Sequence, residues 1–390
     1  MRRDVIAIIG AGPAGSFAAE KLSRCGERVI LIDEKLAWEK PCGGGVTHKA
    51  LLEYPFLRDA QMKYKCISGC ELTSPQGRRV RLQLDRPVAI FSRRVLNGLL
   101  LERARRAGAE IVQERVTSIT GEAGDWLLQT AGGQINAVYV VLAAGARNPF
   151  RAQFSLPLST QDLMTTAGYY VPGSTSEMKI RFLSGVDGYI WIFPRTDHRS
   201  AGICGKMREN KTAELRRRLE SYLAGEGIDF ASAPFYSHLL PSPTLAFLRQ
   251  APVSGDGWAM VGDAAGFVDP VTGEGLYYAL RSADLLSRTI TAGQPERYPE
   301  FVREDFLPEL ETAATFADRF FQGSFAGAPV LERMVQFAAL SPRFRALLCD
   351  IFAGSQGYIG LKRRAYRTLP VMLMEMMGST HNNEIFRHPE

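Results

Sequence analysis

Residues 5–15 read VIAIIGAGPAG, and this stretch decides the fold of the N-terminal part of the chain. The apolar run from Val5 to Ile9 predicts a buried strand, because such a run suits a strand covered on both faces. Three glycines with the spacing G-x-G-x-x-G follow it, and the apolar stretch from Ser16 to Leu22 predicts a helix. The sequence therefore predicts a strand that turns directly into a helix through a glycine loop.

Residues 29–32 predict a second strand, which completes a β-α-β unit with an acidic residue at its end. In such a unit the first glycine makes the tight turn, the second lets the backbone approach a pyrophosphate, and the third allows close helix packing. The pyrophosphate lies at the helix N-terminus, and the acid accepts hydrogen bonds from ribose hydroxyls. The unit predicts a dinucleotide site, and its cofactor-binding residues are Gly10, Gly12, Ala14, Gly15, Asp33 and Glu34.

The composition favours an ordinary soluble globular chain of two or three parts, since 46% of the 390 residues are apolar and 23% are charged. A net charge of +6 is spread over many arginines interspersed with acids, which indicates solvated surface and no nucleic-acid site. No apolar run has the length of a signal peptide core or a membrane span. We therefore expect a cytoplasmic protein with at most a loose membrane contact. The six scattered cysteines predict free thiols and no metal site.

A second glycine-rich stretch, residues 258–280, reads WAMVGDAAGFVDPVTGEGLYYAL and predicts a short strand, a turn and a helix. GAGPAG together with GDAAG resembles the FAD-binding motif pair of the p-hydroxybenzoate-hydroxylase-like flavoproteins. The resemblance implies FAD as the cofactor, with Asp263 at its ribityl-pyrophosphate region. It also implies an arginine near the ribose and pyrophosphate, which is Arg93, although the adjacent Arg94 leaves that assignment open. The cofactor contacts added by the resemblance are Arg93, Gly262, Asp263, Gly273 and Gly275.

The order of the strand and helix patterns predicts an α/β fold in which a Rossmann-type FAD-binding domain is discontinuous. An antiparallel β-sheet substrate domain is inserted between its pieces, and a helical region follows. The predicted parts are an FAD-binding domain of residues 1–65, 91–160 and 250–291, a β-rich substrate domain of residues 66–90 and 161–249, and a C-terminal helical region of residues 292–390.

Two further stretches point to the substrate side: KPCGGGV at residues 40–46 and YIWIFP at residues 189–194. Three consecutive glycines leave a stretch of backbone bare, which is useful where a flat ring must lie against it. Alternation sends the three aromatic residues of YIWIFP to one face of a strand and the two isoleucines to the other. PCGGG together with Y-x-W-x-F-P resembles the geranylgeranyl reductase family, over roughly residues 1–290.

That resemblance implies a reductase that saturates isolated double bonds of prenyl chains, with the aromatic strand lining the cavity that faces the flavin. Protonation of an isolated alkene develops tertiary carbocation character, which aromatic faces stabilise, and hydride from reduced flavin completes the reduction. The proton donor is open between Tyr189, Cys42, a bound water and His48. The predicted residues are Cys42, Tyr189 and Trp191 for catalysis, and Gly43, Gly44 and Phe193 for substrate contact.

Three alternatives stay open. An aromatic hydroxylase on the same scaffold usually has an Asp-Gly pair where this chain has Ala144-Gly145. A flavin-dependent halogenase has a similar aromatic strand and needs a lysine near the substrate, for which Lys40 and Lys49 are candidates. A flavoprotein could also bind a lipid without turnover. The resemblance implies a prenyl or other hydrophobic small molecule as the substrate. We expect NAD(P)H or a ferredoxin as the electron donor, since the lack of a second glycine fingerprint for a separate NAD(P)H domain fits either one.

Overall fold

The computed structural model describes residues 4–58, 63–325 and 327–381. The strands in this part of the chain are β1 (Val5–Ile9), β2 (Arg28–Ile32), β3 (Gly45–Val46), β4 (Tyr64–Thr73), β5 (Arg79–Phe91), β6 (Glu110–Val112), β7 (Ser118–Glu122), β8 (Asp125–Gln129), β9 (Gln134–Ala137), β10 (Tyr139–Leu142), β11 (Leu163–Pro172), β12 (Glu177–Phe182), β13 (Tyr189–Pro194), β14 (His198–Lys206), β15 (Phe235–Pro241), β16 (Ser254–Gly255), β17 (Trp258–Met260), β18 (Ser324–Phe325) and β19 (Ala328–Pro329).

The α-helices are α1 (Pro13–Arg24), α2 (His48–Glu53), α3 (Arg93–Arg106), α4 (Arg151–Phe154), α5 (Thr212–Gly225), α6 (Leu245–Gln250), α7 (Leu276–Thr291), α8 (Tyr298–Asp305), α9 (Leu307–Gln322), α10 (Val330–Leu340), α11 (Pro342–Phe352) and α12 (Leu361–His381).

The predicted β-α-β unit forms the centre of a six-stranded sheet with the order β16-β17-β10-β1-β2-β6. Strand β1 pairs in parallel with β2 and β10, and β10 pairs in parallel with β17. Helix α1 packs between α3 and α7, and the small sheet β7-β8-β9 belongs to the same hydrophobic core. Ile8 and Leu31 are completely buried because both faces of this sheet are covered. This part confirms the predicted Rossmann-type fold.

An eight-stranded sheet with the order β15-β11-β14-β13-β12-β4-β5-β3 forms the second layer. Strands β4 and β5 form a hairpin, and four further strands lie between residues 163 and 206. All neighbouring pairs are antiparallel except β4 and β12, which are parallel. A parallel pair requires a long crossover connection between its strands. Here the connection is the segment after β5, which forms part of the first sheet before the chain re-enters this sheet at β11.

Strand β3 brings the end of the glycine stretch to the edge of the eight-stranded sheet. Gly45 pairs with Ile90, and Val46 pairs with Ala89. The predicted domain boundaries place residues 1–65 with the FAD-binding segments, so this short strand connects the two predicted domains. Those boundaries remain a prediction.

The two faces of β13 are packed differently, as the alternation predicts. Ile190 and Ile192 pack against Leu215 and Leu219 of α5 on one face. On the other face, Trp191 belongs to a core that also holds residues of α9, α10 and α11. The helical C-terminal region therefore covers the aromatic face of the sheet.

Within the described ranges, no helix has the length and apolar character needed to cross a membrane.

Candidate active site

A cavity of about 960 Å³ is lined by residues of both sheets and of the C-terminal helices. Its polar part lies at the glycine turns that follow β1 and β17. Its apolar part lies between β13 and helices α9 to α11. A single space thus joins the predicted nucleotide side to the predicted substrate side.

The glycine turn after β1 leaves room for a ligand at one position. Gly10 has a φ of +107°, and a Cβ added there would lie 2.5 Å from the carbonyl oxygen of Ala143. A Cβ at Gly15 would lie 1.9 Å from the carbonyl oxygen of Gly10, so both glycines are required by packing of the chain itself. A Cβ at Gly12 would meet nothing within 4 Å, and Gly12 lines the cavity with Ala14. The bare backbone at Gly12 suits the close approach of a pyrophosphate.

Two helix N-termini without a side-chain cap face this cavity. Gly12 is the N-cap of α1 and Gly275 is the N-cap of α7, and neither helix has a capping side chain. Gly273, with a φ of +73°, and Gly275 both line the cavity. Uncapped N-termini present free N–H groups and partial positive charge, which suit a phosphate at one helix and the electron-rich end of a flavin ring at the other. Gly262 instead serves packing, because a Cβ there would lie 3.0 Å from the Cβ of Ala14.

The two predicted acids after β2 have different surroundings. Asp33 lines the cavity, and its carboxylate accepts hydrogen bonds from the backbone N–H groups of Ala11, Lys35 and Leu36 at 2.7–2.8 Å. Glu34 instead pairs with Arg115, with 2.8 Å between Oε2 and Nε. Glu34 is exposed and lies outside the cavity lining, so the structure does not bring it to the other predicted cofactor residues.

Cationic and unpaired polar groups gather in the same part of the cavity. Arg93 is buried at its edge and its Nε has no hydrogen-bond partner among the described residues, whereas Arg94 is exposed. Nε2 of His238 is likewise buried and unpaired in the described chain. Burial, and then the positive charge of Lys40, lower the pKa of His238 to about 3, so its imidazole is neutral. Unpaired polar atoms of this kind fit a polar ligand such as a dinucleotide.

Asp263 is held by an ion pair with Lys40, with 2.8 Å between Oδ2 and Nζ. Burial alone would raise the pKa of Asp263, but the charge and hydrogen bond of Lys40, together with the charge of Arg93, bring the pKa below its ordinary value. Asp263 therefore stays ionised at the place predicted for the ribityl-pyrophosphate region.

The aromatic residues of β13 form one wall of the apolar part of the cavity. Tyr189, Trp191 and Phe193 all line it. The indole of Trp191 lies over Gly202, where an added Cβ would be 2.2 Å from Cζ2 of the ring. The ring of Phe193 lies over Gly43, where an added Cβ would be 2.7 Å from Cδ2. The bare glycine backbone thus accommodates one of the protein's own rings.

Comparison with known proteins agrees with this geometry. A family model described as a pyridine nucleotide-disulphide oxidoreductase matches residues 4–165, and one described as an FAD-dependent oxidoreductase matches residues 85–282. The geranylgeranyl diphosphate reductase of Synechocystis sp. is 31% identical over 326 residues, which cover 74% of this chain and 75% of that protein. The chain belongs to the geranylgeranyl reductase family. Its cofactor is FAD, and it is a flavin-dependent oxidoreductase.

Solved structures share the fold of this geranylgeranyl reductase family member. A geranylgeranyl bacteriochlorophyll reductase-like protein of Thermoplasma acidophilum aligns with a TM-score of 0.74 at 18% identity, covering 93% of this chain and 99% of that chain. A flavin-dependent brominase aligns with a TM-score of 0.70 at 18% identity, covering 94% and 98%. At this identity both likenesses concern the fold alone.

A buried arginine that belongs to none of the predicted motifs fixes the glycine stretch of this family member. Arg195 is completely buried and donates hydrogen bonds to Glu39 and to the carbonyl oxygen of Cys42, the latter at 2.6 Å. Ser200 donates to the same carbonyl at 2.9 Å and accepts from Nε1 of Trp191 at 3.2 Å. Cys42 is therefore linked to the aromatic wall through its backbone. The available signal in the sequence was the position of this arginine directly after the apolar strand YIWIFP. An arginine that is buried at such a position requires an acidic partner.

The predicted reactive groups have specific partners. The hydroxyl of Tyr189 donates to the carbonyl oxygen of Thr272, and burial raises the pKa of Tyr189 well above its ordinary value. Sγ of Cys42 accepts from the backbone N–H of Gly44 at 3.3 Å. Cys42 and Gly44 both line the cavity, whereas His48 lies outside its lining.

The two lysines considered for a halogenase are both engaged elsewhere. Lys40 pairs with Asp263 on the polar side of the cavity. Nζ of Lys49 lies 3.9 Å from the centre of the Tyr277 ring, and Lys49 lies outside the cavity lining. Neither lysine is presented to the aromatic wall.

The C-terminal helices supply much of the apolar lining, although none of the predicted motifs lies in them. Residues from this region that line the cavity are Phe316, Phe320, Met334, Phe337, Leu347 and Phe352. Leu347 and Ile351 are four residues apart on α11 and lie on one helical face, so helical periodicity was the available signal.

Proposed function

We propose that this enzyme saturates isolated C=C bonds of a prenyl chain of the geranylgeranyl type, with FAD as its redox cofactor. The observation that carries the proposal is that the aromatic face of β13 lines the same cavity as the two uncapped helix N-termini. A cavity of about 960 Å³ with a largely apolar lining next to a flavin site suits a hydrocarbon substrate. The geranylgeranyl diphosphate reductase among the relatives supports this choice of substrate class.

The residues of the cavity would act mainly by excluding water and stabilising positive charge. Reduced FAD supplies a hydride, and the alkene must also receive a proton. The faces of Tyr189 and Trp191 stabilise positive charge at the tertiary carbon by about 0.5–2 kcal/mol each in a dry site. The apolar residues of α9 to α11 keep water from capturing that charge.

Anaerobic turnover tests the proposal. The purified flavoprotein is reduced with dithionite and mixed with geranylgeranyl diphosphate, and the products are weighed by mass spectrometry. We expect a gain of two hydrogens for each double bond. Incorporation of oxygen in air would favour an aromatic hydroxylase, and transfer of a halogen would favour a halogenase.

A charged side chain in the aromatic wall provides the matched variant. Trp191→Asp places a carboxylate in the apolar part of the cavity and should abolish prenyl reduction while FAD stays bound. Leu156→Asp introduces the same charge at an exposed site and should leave turnover unchanged. Native activity of Trp191→Asp would refute the assignment of the cavity.

Two electron donors are compatible with the proposal, NAD(P)H and a ferredoxin. Mixing the oxidised enzyme with each donor in the absence of oxygen separates them, because the competent donor bleaches the flavin absorbance. Bleaching by NADPH or NADH within the turnover time identifies a nicotinamide donor.

We also propose a loose membrane contact through one face of α12. Arg363, Tyr366, Arg367 and Met374 are exposed there, and their spacing places them on one helical face. Leu361 and Ala365 of the same helix line the cavity, so a bilayer at this face would lie close to it. Sedimentation with anionic vesicles but not with zwitterionic ones, lost at high salt, is the expected result.

A further inference from the structure

One acidic side chain of the cavity differs from the others. The carboxylates that line it belong to Asp33, Asp263, Glu274 and Glu311. Asp33 accepts three backbone hydrogen bonds, Asp263 pairs with Lys40, and Glu311 pairs with Arg249 at 3.5 Å. Glu274 has one donor, the hydroxyl of Thr47 at 2.8 Å, and no ion pair within the described part of the chain.

The surroundings of Glu274 favour its protonated form. Glu274 is half-buried and lines the cavity, and it stands between the two glycines that precede α7. Burial is the main cause that raises the pKa of Glu274 to about 7. Its hydrogen bond from Thr47 and the charge of Lys49 act in the opposite direction, and Asp269 adds to the increase. The titratable groups that face Glu274 are Lys49 of α2, Asp269 of its own loop, Tyr278 of α7 and Tyr358 ahead of α12.

Three other titratable groups of the cavity, those of His238, Tyr189 and Tyr358, are poorly suited to donate a proton at neutral pH. The imidazole of His238 is neutral down to a pH of about 3. The hydroxyl of Tyr189 already donates to Thr272, and the hydroxyl of Tyr358 donates to Oδ2 of Asp269 at 2.8 Å. Burial raises the pKa of both tyrosines well above the ordinary value.

We propose that Glu274 is the catalytic acid that protonates the double bond, an inference that rests on the proposed prenyl reduction. The O–H bond of its carboxyl breaks while the π electron pair of the alkene forms a C–H bond at the less substituted carbon. A hydride from reduced FAD forms the second C–H bond at the tertiary carbon, so the alkene gains two hydrogens and the flavin is oxidised. Glu274 is left as a carboxylate and regains its proton from water.

Single-turnover kinetics with dithionite-reduced enzyme and geranylgeranyl diphosphate test the proposal. Glu274→Gln keeps the shape of the side chain but removes the acid, and the rate of alkene reduction should fall at least about 100-fold. Flavin absorbance and its reduction by dithionite should stay native. Glu304→Gln, the same change at an exposed position, should react at the native rate.

The pH profile separates a proton donor from a structural residue. The native single-turnover rate should fall as the pH rises through about 7, because the acid is then ionised. Thr47→Val keeps the acid but removes the hydrogen bond that favours its charged form, so this fall should move to higher pH. Thr47→Val also keeps the test decisive if Glu274→Gln loses its flavin.

The outcomes distinguish the two proposals. No reduction of any prenyl compound by the native enzyme would overturn the proposed function itself. Native reduction that continues at an unchanged rate in Glu274→Gln, or a pH limb that Thr47→Val does not move, would overturn the role of Glu274.

Discussion

Gly43 and Gly45 form a matched pair for testing the aromatic wall. A Cβ at Gly43 would lie 2.7 Å from the ring of Phe193, whereas a Cβ at Gly45 would lie 3.5 Å from it, an ordinary contact. Gly43→Ala should therefore displace the ring and lower kcat/KM for prenyl reduction about tenfold, because a misplaced ring changes how the substrate is positioned. Gly45→Ala should retain most activity. Equal kinetics of the two variants would show that the ring position of Phe193 does not matter.

The ion pair of Lys40 and Asp263 predicts how tightly FAD is held. Lys40→Met leaves a carboxylate without its counter-charge in a site that the cofactor closes, which is costly. The dissociation constant of FAD should rise at least tenfold, measured by fluorescence titration of the deflavinated protein. The double variant Lys40→Met/Asp263→Asn removes the unpaired charge and should recover part of the loss. Additive effects in this double-mutant cycle would contradict a direct coupling.

We expect helix α11 to determine the length of the prenyl chain that the enzyme accepts. Leu347 is buried and lines the cavity, while the adjacent Ala346 is exposed. Leu347→Trp should narrow the apolar part and reduce turnover of geranylgeranyl substrates more than turnover of geranyl substrates. Ala346→Trp adds the same side chain on the outer face and should leave the ratio unchanged. Product analysis with the two chain lengths measures that ratio, and an unchanged ratio in Leu347→Trp would place the substrate elsewhere.

The elements that the sequence predicts well are those defined by local signals. The glycine turns, helix α1 and strand β13 follow from short motifs and periodicity. The parallel pairing of β4 with β12 was not predicted, because it depends on which strands meet after the chain re-enters the sheet. The cavity lining from α9 to α11 was missed for the same reason. Its residues have an ordinary amphipathic pattern, and only their tertiary position gives them a role.

At the scale of the molecule, the cavity is built from segments far apart in sequence. The Thr47–Glu274 and Lys40–Asp263 contacts join the stretch around PCGGG to the turn that precedes α7. Tyr358 joins the helical region to that same turn through Asp269. A motif alone does not predict which of two adjacent residues reaches the cavity. Glu34 and Arg94 each follow a cavity residue in sequence, but both side chains are exposed. The spacing of the glycine motifs indicates a cofactor site. Contacts between segments far apart in sequence determine which of two adjacent residues faces that site.

Two buried groups of the cavity give the whole protein opposing dependences of stability on pH. The pKa of Glu274 is raised to about 7, so the stability that its proton contributes is present below its ordinary value of 4.5 and is lost as the pH rises through about 7. The pKa of His238 is lowered to about 3, so its contribution is present above its ordinary value of 6.5 and is lost as the pH falls toward 3. Between about pH 4.5 and 6.5 the two effects oppose each other.

Substitution of either Glu274 or His238 should leave only the pH dependence of stability that the other residue causes. In Glu274→Gln the stabilising effect of low pH disappears, so the melting temperature relative to the native protein should increase from pH 5 to pH 8. In His238→Gln the relative melting temperature should change in the opposite direction and decrease over the same range. Thermal unfolding of the FAD-bound proteins, followed by circular dichroism at several pH values, measures both slopes. Parallel curves for native protein and Glu274→Gln would mean that the carboxyl of Glu274 titrates normally, and the assignment of a buried acid beside the flavin site would then be wrong.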